Sequence, residues 1–307
     1  MHPISALFRV CYMPICRAYS RHLGDKPSDA LFRLLCSLQF LINYRFWPNL
    51  VQPRRFSEKV WHRLLYERNP ILTMISDKYR VRDYVAAKVG CDYLVPLLWS
   101  GDKPDEIPFD ALPLPFIIKL NHGCDYNIVV NDKTQFDHKE IILQLKEWMH
   151  ENFGQDYALG NAWGYKNIIP HIIIELFLGD NEKAPEDFKF FCFSGRVEFF
   201  KMDFDRFTDH SIKYFDRDLR ALDLIEVGLK LYQGKIDIPE NISEMIRVAE
   251  SLSKGFGFIR VDLYNINSKI YFGELTSYPG GISDRFEPDS YDYMFGDKWK
   301  GDGIYSH

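Results

Sequence analysis

Phe258-Ile-Arg-Val-Asp-Leu-Tyr-Asn-Ile-Asn-Ser-Lys-Ile-Tyr-Phe-Gly-Glu-Leu-Thr-Ser-Tyr-Pro-Gly-Gly281 is the stretch on which the reading of this chain turns. Phe258 to Tyr264 and Lys269 to Leu275 are rich in β-branched and aromatic residues, and Asn265 to Ser268 between them is a turn cluster. The pattern predicts a β-hairpin, with Arg260 and Asp262 on its first strand and Glu274 and Thr276 on the return. The loop length leaves the register open by a residue or two. Facing strands still lie only about 5 Å apart, so Asp262 and Glu274 come close. Two carboxylates held together repel unless a positive charge sits between them. A hard divalent ion such as Mg2+ meets that need, binding through a couple of carboxylates plus substrate phosphates. Pro279-Gly-Gly281 then lets a backbone approach a ligand closely. Taken alone, the hairpin favours a plainer reading, in which both carboxylates are solvated charges on an exposed sheet face.

The 307 residues suffice for one large or two modest domains, and 46% hydrophobic with 26% charged residues is an ordinary globular composition. Aromatics reach 16%, which suits either a rich core or surfaces that handle sugars and nucleotides. Net charge is −5, but the first fifty residues carry six arginines and lysines against Asp25 and Asp29, a local charge of about +4. No nucleic-acid footprint stands out elsewhere. Cysteines 11, 16, 36, 91, 124 and 192 form no C-x-x-C pair, which argues against zinc and against a disulfide framework and fits a reducing cytoplasm.

Along the chain, residues 3–20 are apolar but broken by Arg9 and Pro14, without the h-region and cleavage site of a signal peptide. Residues 31–46 place Leu31, Leu34, Leu35, Leu38, Leu41 and Ile42 at helical spacing, in a segment too short and too charged to span a bilayer. A helix packed on the protein body is expected, with an amphipathic membrane-surface contact as the alternative. Ser57 to Glu67 reads as a capped helix, and Ser76 or Asp77 to Gly90 as another, opening on Lys78, Arg80 and Arg82. Cations at a helix N-terminus are unfavourable unless an anion joins them, although solvated surface charges explain them equally well. A strand is expected over Tyr93 to Trp99. Lys119 ends the next apolar strand beside a loop holding Gly123, where it can meet phosphate or snorkel to solvent. His138 to Glu151 is amphipathic. In the apolar strand Ile168 to Leu178 the one charge is Glu175, a carboxylate costly to bury without a partner. Asp187 to Gly195 and Arg196 to Met202 form a second hairpin, and Asn241 with Glu244 opens a helix as a capping box that Gly255 ends. Asp203-Phe-Asp205 resembles the DxD metal motif of nucleotide-sugar glycosyltransferases, a pattern short enough to arise by chance.

Phe56-Ser-Glu-Lys59, Asp77-Lys-Tyr-Arg-Val-Arg82, Ile118-Lys-Leu-Asn-His-Gly123, Asp187-Phe-Lys-Phe-Phe-Cys-Phe193, Arg260-Val-Asp-Leu-Tyr264 and Gly273-Glu-Leu-Thr276 follow one another in this order. Over roughly Phe56 to Asp297 the chain therefore resembles the TupA-like ATP-grasp family of polysaccharide and teichuronopeptide gene clusters. More distantly, Arg260-x-Asp262 and Glu274-x-Thr276-x-x-Pro279-Gly280 resemble D-alanine–D-alanine ligases. The resemblance implies an α/β ATP-grasp fold, two α+β subdomains closing over ATP, behind a helical N-terminal preface. The implied divisions are a basic preface (1–55), a helical and strand segment (56–110), the ATP-grasp domain (111–300) and a tail (301–307).

The resemblance also implies roles. Lys78 and Lys119 grip the phosphates of ATP together with the Gly123 loop. Glu175 and the backbone of Leu176 to Leu178 lie at the adenine, Asp187 at the ribose, and Lys189 at the phosphates or acceptor. Asp262, Glu274 and Thr276 hold Mg2+, and Arg260 stabilises the transferring phosphoryl group. Thr276 stands where many relatives have asparagine, and Gly123-Cys-Asp-Tyr126 where they have a more glycine-rich loop. The implied activity is an ATP-dependent carboxylate–amine ligase of surface polysaccharide biosynthesis, joining a uronic acid to an amino acid or amine through an acylphosphate. Its expected partners are ATP and small-molecule or saccharide substrates, in the cytoplasm or at the inner face of the membrane, with no nucleic acid. The competing readings are a sugar kinase using the same site, a glycosyltransferase using Asp203 and Asp205, and a non-catalytic scaffold.

Overall fold

Two β-sheets face one another across a cleft, and the chain completes the first before it starts the second. The computed structural model describes residues 30–124, 126–135, 137–151, 162–179, 185–204 and 209–301. The first 29 residues of the expected preface, Asp125, Asp205 and residues 302–307 of the expected tail lie outside them. Four helices come first: α1 (Ala30–Tyr44), α2 (Phe56–Tyr66), α3 (Pro70–Ser76) and α4 (Val81–Val89). The first sheet follows, with β1 (Leu97–Gly101), β2 (Phe116–Leu120), β3 (Asn127–Val130) and β4 (Ile172–Leu176) in the antiparallel order β1-β4-β2-β3. Between β3 and β4, α5 (His138–His150) packs Ile141 and Leu145 into the small core of this sheet.

The second sheet takes β5 (Asp187–Phe193), β6 (Arg196–Phe204) and β7 (Ser211–Asp216). After the short strand β8 (Ile225–Glu226) come β9 (Lys230–Leu231), α6 (Ile242–Ser253), β10 (Phe258–Ile266) and β11 (Lys269–Thr276). The order is β11-β10-β5-β6-β7-β9; β8 pairs instead with β12 (Phe286–Glu287), and α7 (Ser290–Lys298) follows. Strand alternation gives this sheet two different faces. Phe188, Phe190, Phe200, Met202, Val261 and Leu263 form one, sealed by Met245, Ala249 and Leu252 of α6. The other face divides along its length. Phe191, Phe193, Phe199 and Phe258 meet α2 and α7 in an aromatic core, whereas Asp187, Lys189, Lys201, Asp203, Arg260 and Asp262 carry charge along the rest.

The β10–β11 hairpin turns at Asn267 and Ser268, whose φ of 51° and 64° are those of a tight two-residue turn matched to strand twist. Arg260 faces Thr276 and Asp262 faces Glu274; the next pair is Leu263 with Phe272. Gly273 is the extra residue of the resulting bulge. A Cβ there would come within 3.0 Å of the Asp262 carbonyl oxygen, so a side chain would disturb the strand that carries Asp262.

Several local expectations change in the folded chain. In α1 the buried residues are Phe32, Cys36, Phe40 and Tyr44, while Leu31 and Leu34 of the expected leucine face are 52% and 46% exposed. Phe40 stacks on Tyr44 at 4.3 Å and meets the Trp61 ring edge-on at 5.7 Å, and large rings gain more from burial than leucines do. Ser57 does not cap α2: the helix starts at Phe56, and the Ser57 hydroxyl donates to Asp292 of α7 at 2.7 Å. The strand expected from Tyr93 begins only at Leu97, after Pro96, which has no N–H to give a ladder. Asn241 leaves its capping role, donating to the Ser268 carbonyl at 2.8 Å and accepting from Asn265 at 2.6 Å, which ties α6 to the hairpin turn. β1 pairs with β4, so the first sheet runs across the boundary expected between residues 110 and 111.

Phe56 is the knob on which the aromatic core closes, edge-on to Phe258 at 4.8 Å and within 6.4 Å of Phe191, Phe193 and Phe295. Phe56→Ala is expected to cost about 3–5 kcal/mol, read as a lowered midpoint in urea denaturation. A loss under about 1 kcal/mol would mean that the core closes without it.

Candidate active site

Side chains from both sheets line one cleft of about 430 Å³. On the first wall, the β2–β4 register sets Lys119 opposite Ile173 and Ile117 opposite Glu175, so Lys119 and Glu175 share a face. Their side chains meet at 2.8 Å, and Arg82 of α4 reaches the other Glu175 oxygen at 2.5 Å while also donating to the Val95 carbonyl at 2.9 Å. Glu175 is only 7% exposed, and two cations meet the expected need of its buried charge for a partner.

Lys78 reaches the same cleft by a different route. The expected helix over residues 78–89 begins only at Val81, because the Asp77 carboxylate accepts from the amides of Tyr79 and Arg80 and closes a turn first. Asn121 donates to that carboxylate at 2.9 Å, and its own carbonyl accepts from the Lys78 amide at 3.1 Å. So positioned, the Lys78 ammonium donates to the Gly123 carbonyl. Of the basic cluster, Lys78 and Arg82 line the cleft, whereas Arg80 is 61% exposed and lies outside it. Leu176, Phe177 and Leu178 line one side; the first two amides donate to the carbonyls of Pro96 and Pro115.

The opposite wall is a row across the second sheet: Glu274, Asp262 and Lys189 are successive cross-strand partners. Arg260 binds Asp262 through two parallel 2.7 Å hydrogen bonds from Nε and Nη2. Its Nη2 also donates to Glu274 at 2.8 Å and to the Thr276 hydroxyl at 3.0 Å, and that hydroxyl donates to Glu274 at 2.7 Å. Lys189 bridges Asp187 and Asp203. Burial pushes the Asp262 carboxyl up; the Arg260 guanidinium opposes this, and Asp187 and Glu274 add to the rise. Burial acts on Glu274 in the same sense, but Arg260, Lys78 across the cleft, and the Thr276 hydroxyl outweigh it and hold the carboxyl at about 2. Asp262 is 4% exposed and Glu274 40%, so the second carboxylate is the one that opens into the cleft.

The donor set fits a hard divalent ion. Asp262, Glu274 and Thr276 offer only oxygen, and a single guanidinium stands between the carboxylates, leaving Asp262 with more negative charge nearby than Arg260 cancels. Among the described residues no three acidic, histidine or cysteine side chains gather into a cage. Asp203 is otherwise employed: 4% exposed, it meets Lys189 at 2.6 Å, His210 at 2.7 Å and Lys201 at 3.8 Å. Burial would raise its carboxyl, yet Lys201 and Lys189 hold it below the usual range. It is locked as a counter-ion inside the sheet, and Asp205, the other half of the DxD pattern, lies outside the described residues.

All the site residues expected from the sequence (Lys78, Lys119, Gly123, Glu175, Leu176, Leu178, Asp187, Lys189, Arg260, Asp262, Glu274 and Thr276) therefore lie on or immediately behind the two walls. Missed were Asn121, which positions Lys78, and Lys201 and Tyr214 farther along the second sheet. Alternation across the Asp187–Phe204 hairpin puts Lys201 on the face of Lys189; nothing local signals the others.

The TupA-like ATPgrasp family model matches residues 58–300, a span that contains both walls. No curated protein matches the chain. Among solved structures it is similar to a D-alanine–D-alanine ligase from Bacillus anthracis complexed with ATP, at 16% identity and a TM-score of 0.41, over 68% of this chain and 56% of that one. An L-amino acid ligase from Bacillus licheniformis gives 12% identity and 0.43, over 96% and 63%. A D-alanine–D-alanine ligase from Helicobacter pylori gives 17% and 0.38, over 74% and 62%. The chain thus spans less than two thirds of the length of each of these three proteins. With hairpin, lysines and both sheets inside the matched span, the chain belongs to the TupA-like ATP-grasp family.

Proposed function

We propose that this protein is an ATP-dependent carboxylate–amine ligase that forms an amide through an acylphosphate. The observation that carries the reading is the cross-strand pair Asp262–Glu274, gripped by Arg260 on one wall and faced by Lys78 and Lys119 on the other. Lys78 and Lys119 hold the phosphates of ATP beside the Gly123 loop, and Glu175 with Leu176 to Leu178 receives the adenine. Asp187 binds the ribose, and Lys189 the phosphates or the acceptor. Asp262, Glu274 and Thr276 hold Mg2+, which supplies charge neutralisation on the phosphate oxygens. Arg260 turns its guanidinium toward the phosphoryl group in transfer. The substrate carboxylate attacks the γ-phosphate, and an amine then attacks the acyl carbon and displaces phosphate. Holding acid and phosphate in line is the main contribution of these side chains.

A uronic acid joined to an amino acid or amine, in the synthesis of a surface polysaccharide, fits the family setting. We place the work in the cytoplasm or at the inner face of the membrane, with residues 1–55 available for a peripheral contact; among the described residues no helix is long and apolar enough to cross a membrane. Residues 56–110 then complete the domain 111–300, adding β1 to its first sheet and Lys78 and Arg82 to its cleft.

MgATP is expected to raise the melting temperature, with about 2.7 kcal/mol of stabilisation at a hundredfold excess over Kd. Glu274→Gln and Lys119→Ala are expected to remove that rise; a shift of wild-type size in both would overturn the site. A panel of uronic acids and amines, screened for ADP release, tests the reaction itself. With an isotopically labelled carboxylate, labelled oxygen should appear in the released phosphate. ADP together with a phosphorylated sugar, and no release of labelled phosphate, would mean a hydroxyl acceptor and a kinase.

A further inference from the structure

The loop that joins α1 to α2 is held firmly, yet it turns apolar side chains to solvent. α1 stops at Arg45, whose φ of 70° is left-handed and whose amide donates to the Leu41 carbonyl at 2.8 Å. Residues 46–55 then run to α2 around a single carboxylate. Glu58 accepts from the amides of Asn49, Arg54 and Arg55 at 2.8, 2.9 and 3.1 Å. The Asn49 side chain accepts from the Gln52 amide at 2.9 Å, and His62 Nδ1 lies 2.9 Å from the Leu50 carbonyl oxygen. Pro48 and Leu50 are buried, whereas Trp47 is 55% and Val51 72% exposed. A backbone fixed at so many points keeps those two side chains outside.

The surroundings are cationic. Arg33 of α1 lines the same hollow of about 510 Å³ as Trp47 and Val51, and Leu34 beside it is exposed. Arg45 and Arg54 are exposed at the two ends of the loop. Residues 30–56 carry four arginines and no Asp or Glu, in a chain of net charge −5. Glu58, the acid that lines the hollow, is occupied by its three amides. Arg55 pairs with Asp289 and lies 4.0 Å from the Phe46 ring and 4.2 Å from the Tyr293 ring. Through this stack the patch continues to exposed Tyr293 and Met294 of α7.

Resting on the placement at the membrane made above, we propose that this face seats the protein on an anionic lipid surface. Trp47 and Val51 enter the bilayer boundary, and Arg33, Arg45 and Arg54 meet the headgroup phosphates around them. An indole favours that boundary because its ring leaves water while its N–H keeps a polar partner. A guanidinium pairs with phosphate through parallel hydrogen bonds, and the negative surface potential adds to each cation. Exposed apolar side chains ringed by basic ones are the pattern of a surface that lies on lipid. A second copy suits the patch less well: two-fold pairing sets arginine against arginine, with no acid among residues 30–56 to meet them.

Cosedimentation with vesicles tests this on the full chain without any substrate. The wild-type protein is expected to bind vesicles of phosphatidylcholine mixed with phosphatidylglycerol, to leave pure phosphatidylcholine vesicles unbound, and to be released by salt. Arg45→Gln combined with Arg54→Gln should lower the partition coefficient about twentyfold, from a loss of about fivefold per cation. Trp47→Ala should lower it about tenfold and abolish the blue shift of tryptophan emission that the mixed vesicles produce. Both variants should keep the wild-type melting temperature, since no hydrogen bond that fixes the loop is removed. Wild-type partitioning in both variants, or equal binding to the two kinds of vesicle, would overturn the assignment of this face alone. Failure of the wild-type protein to bind either kind would overturn the placement at the membrane with it. A dimer in sedimentation velocity that Trp47→Ala dissociates would give the face to a second copy and overturn the lipid reading. None of these outcomes bears on the ligase reaction, which ADP release tests separately.

Discussion

Arg260 between Asp262 and Glu274 is the interaction on which the rest of the structure depends. Three charges on two neighbouring strands are stable only if every oxygen and N–H finds its partner, because a buried charge left unpaired is far costlier than a pair. That requirement fixes the register of the hairpin. A slip of one residue would turn Asp262 toward the apolar face occupied by Val261 and Leu263, with no cation to meet it. The bulge at Gly273 and the tight turn at Asn267–Ser268 hold the register in place from either end.

The second sheet carries two incompatible environments on one face, and aromatic packing makes this possible. Phe191, Phe199 and Phe258 continue the same alternating positions that bear Lys189, Lys201 and Arg260. Rings brought by α2 and α7 exclude water at one end, so the charges are confined to the end that faces the first sheet. Burial there lowers the local dielectric and strengthens each ion pair, but it also makes the count of charges matter. Lys189, Lys201 and Arg260 are fewer than the carboxylates around them, and the carboxyls of Asp262 and Asp284 are accordingly pushed up.

Much of this is legible in the sequence, and the rest fails for identifiable physical reasons. The hairpin and its carboxylates follow from strand alternation and turn chemistry, which are local. So does the need of Glu175 for a partner; that Arg82 would be one, 93 positions away, is a matter of topology. The buried face of α1 is not legible from periodicity, which counts leucines and says nothing of the ring stack awaiting Phe40. Asn241 and Ser57 have the sequence of caps, but the hairpin turn and Asp292 compete for their side chains and win. Glu226 sits on a two-residue strand with no pattern to read, and only the folded chain brings it to Lys201.

Self-neutralisation of the cleft has a thermodynamic consequence. Lys119 is held by Glu175, and Arg260 by Asp262 and Glu274, so an incoming triphosphate competes with carboxylates for the cations it needs. On the reading proposed here, each cation that turns to phosphate leaves a carboxylate without its partner. On that same reading Asp262, Glu274 and Thr276 would hold a divalent ion on the second wall, and it would neutralise the released charge. Nucleotide and metal thus each lower the cost of binding the other, and by linkage the coupling is equal in both directions. On the first wall Glu175 has both Arg82 and Lys119, so it would keep one partner if Lys119 turned to phosphate. Two cations on Glu175 against one between Asp262 and Glu274 would then be the asymmetry of a cleft that holds its metal on one wall.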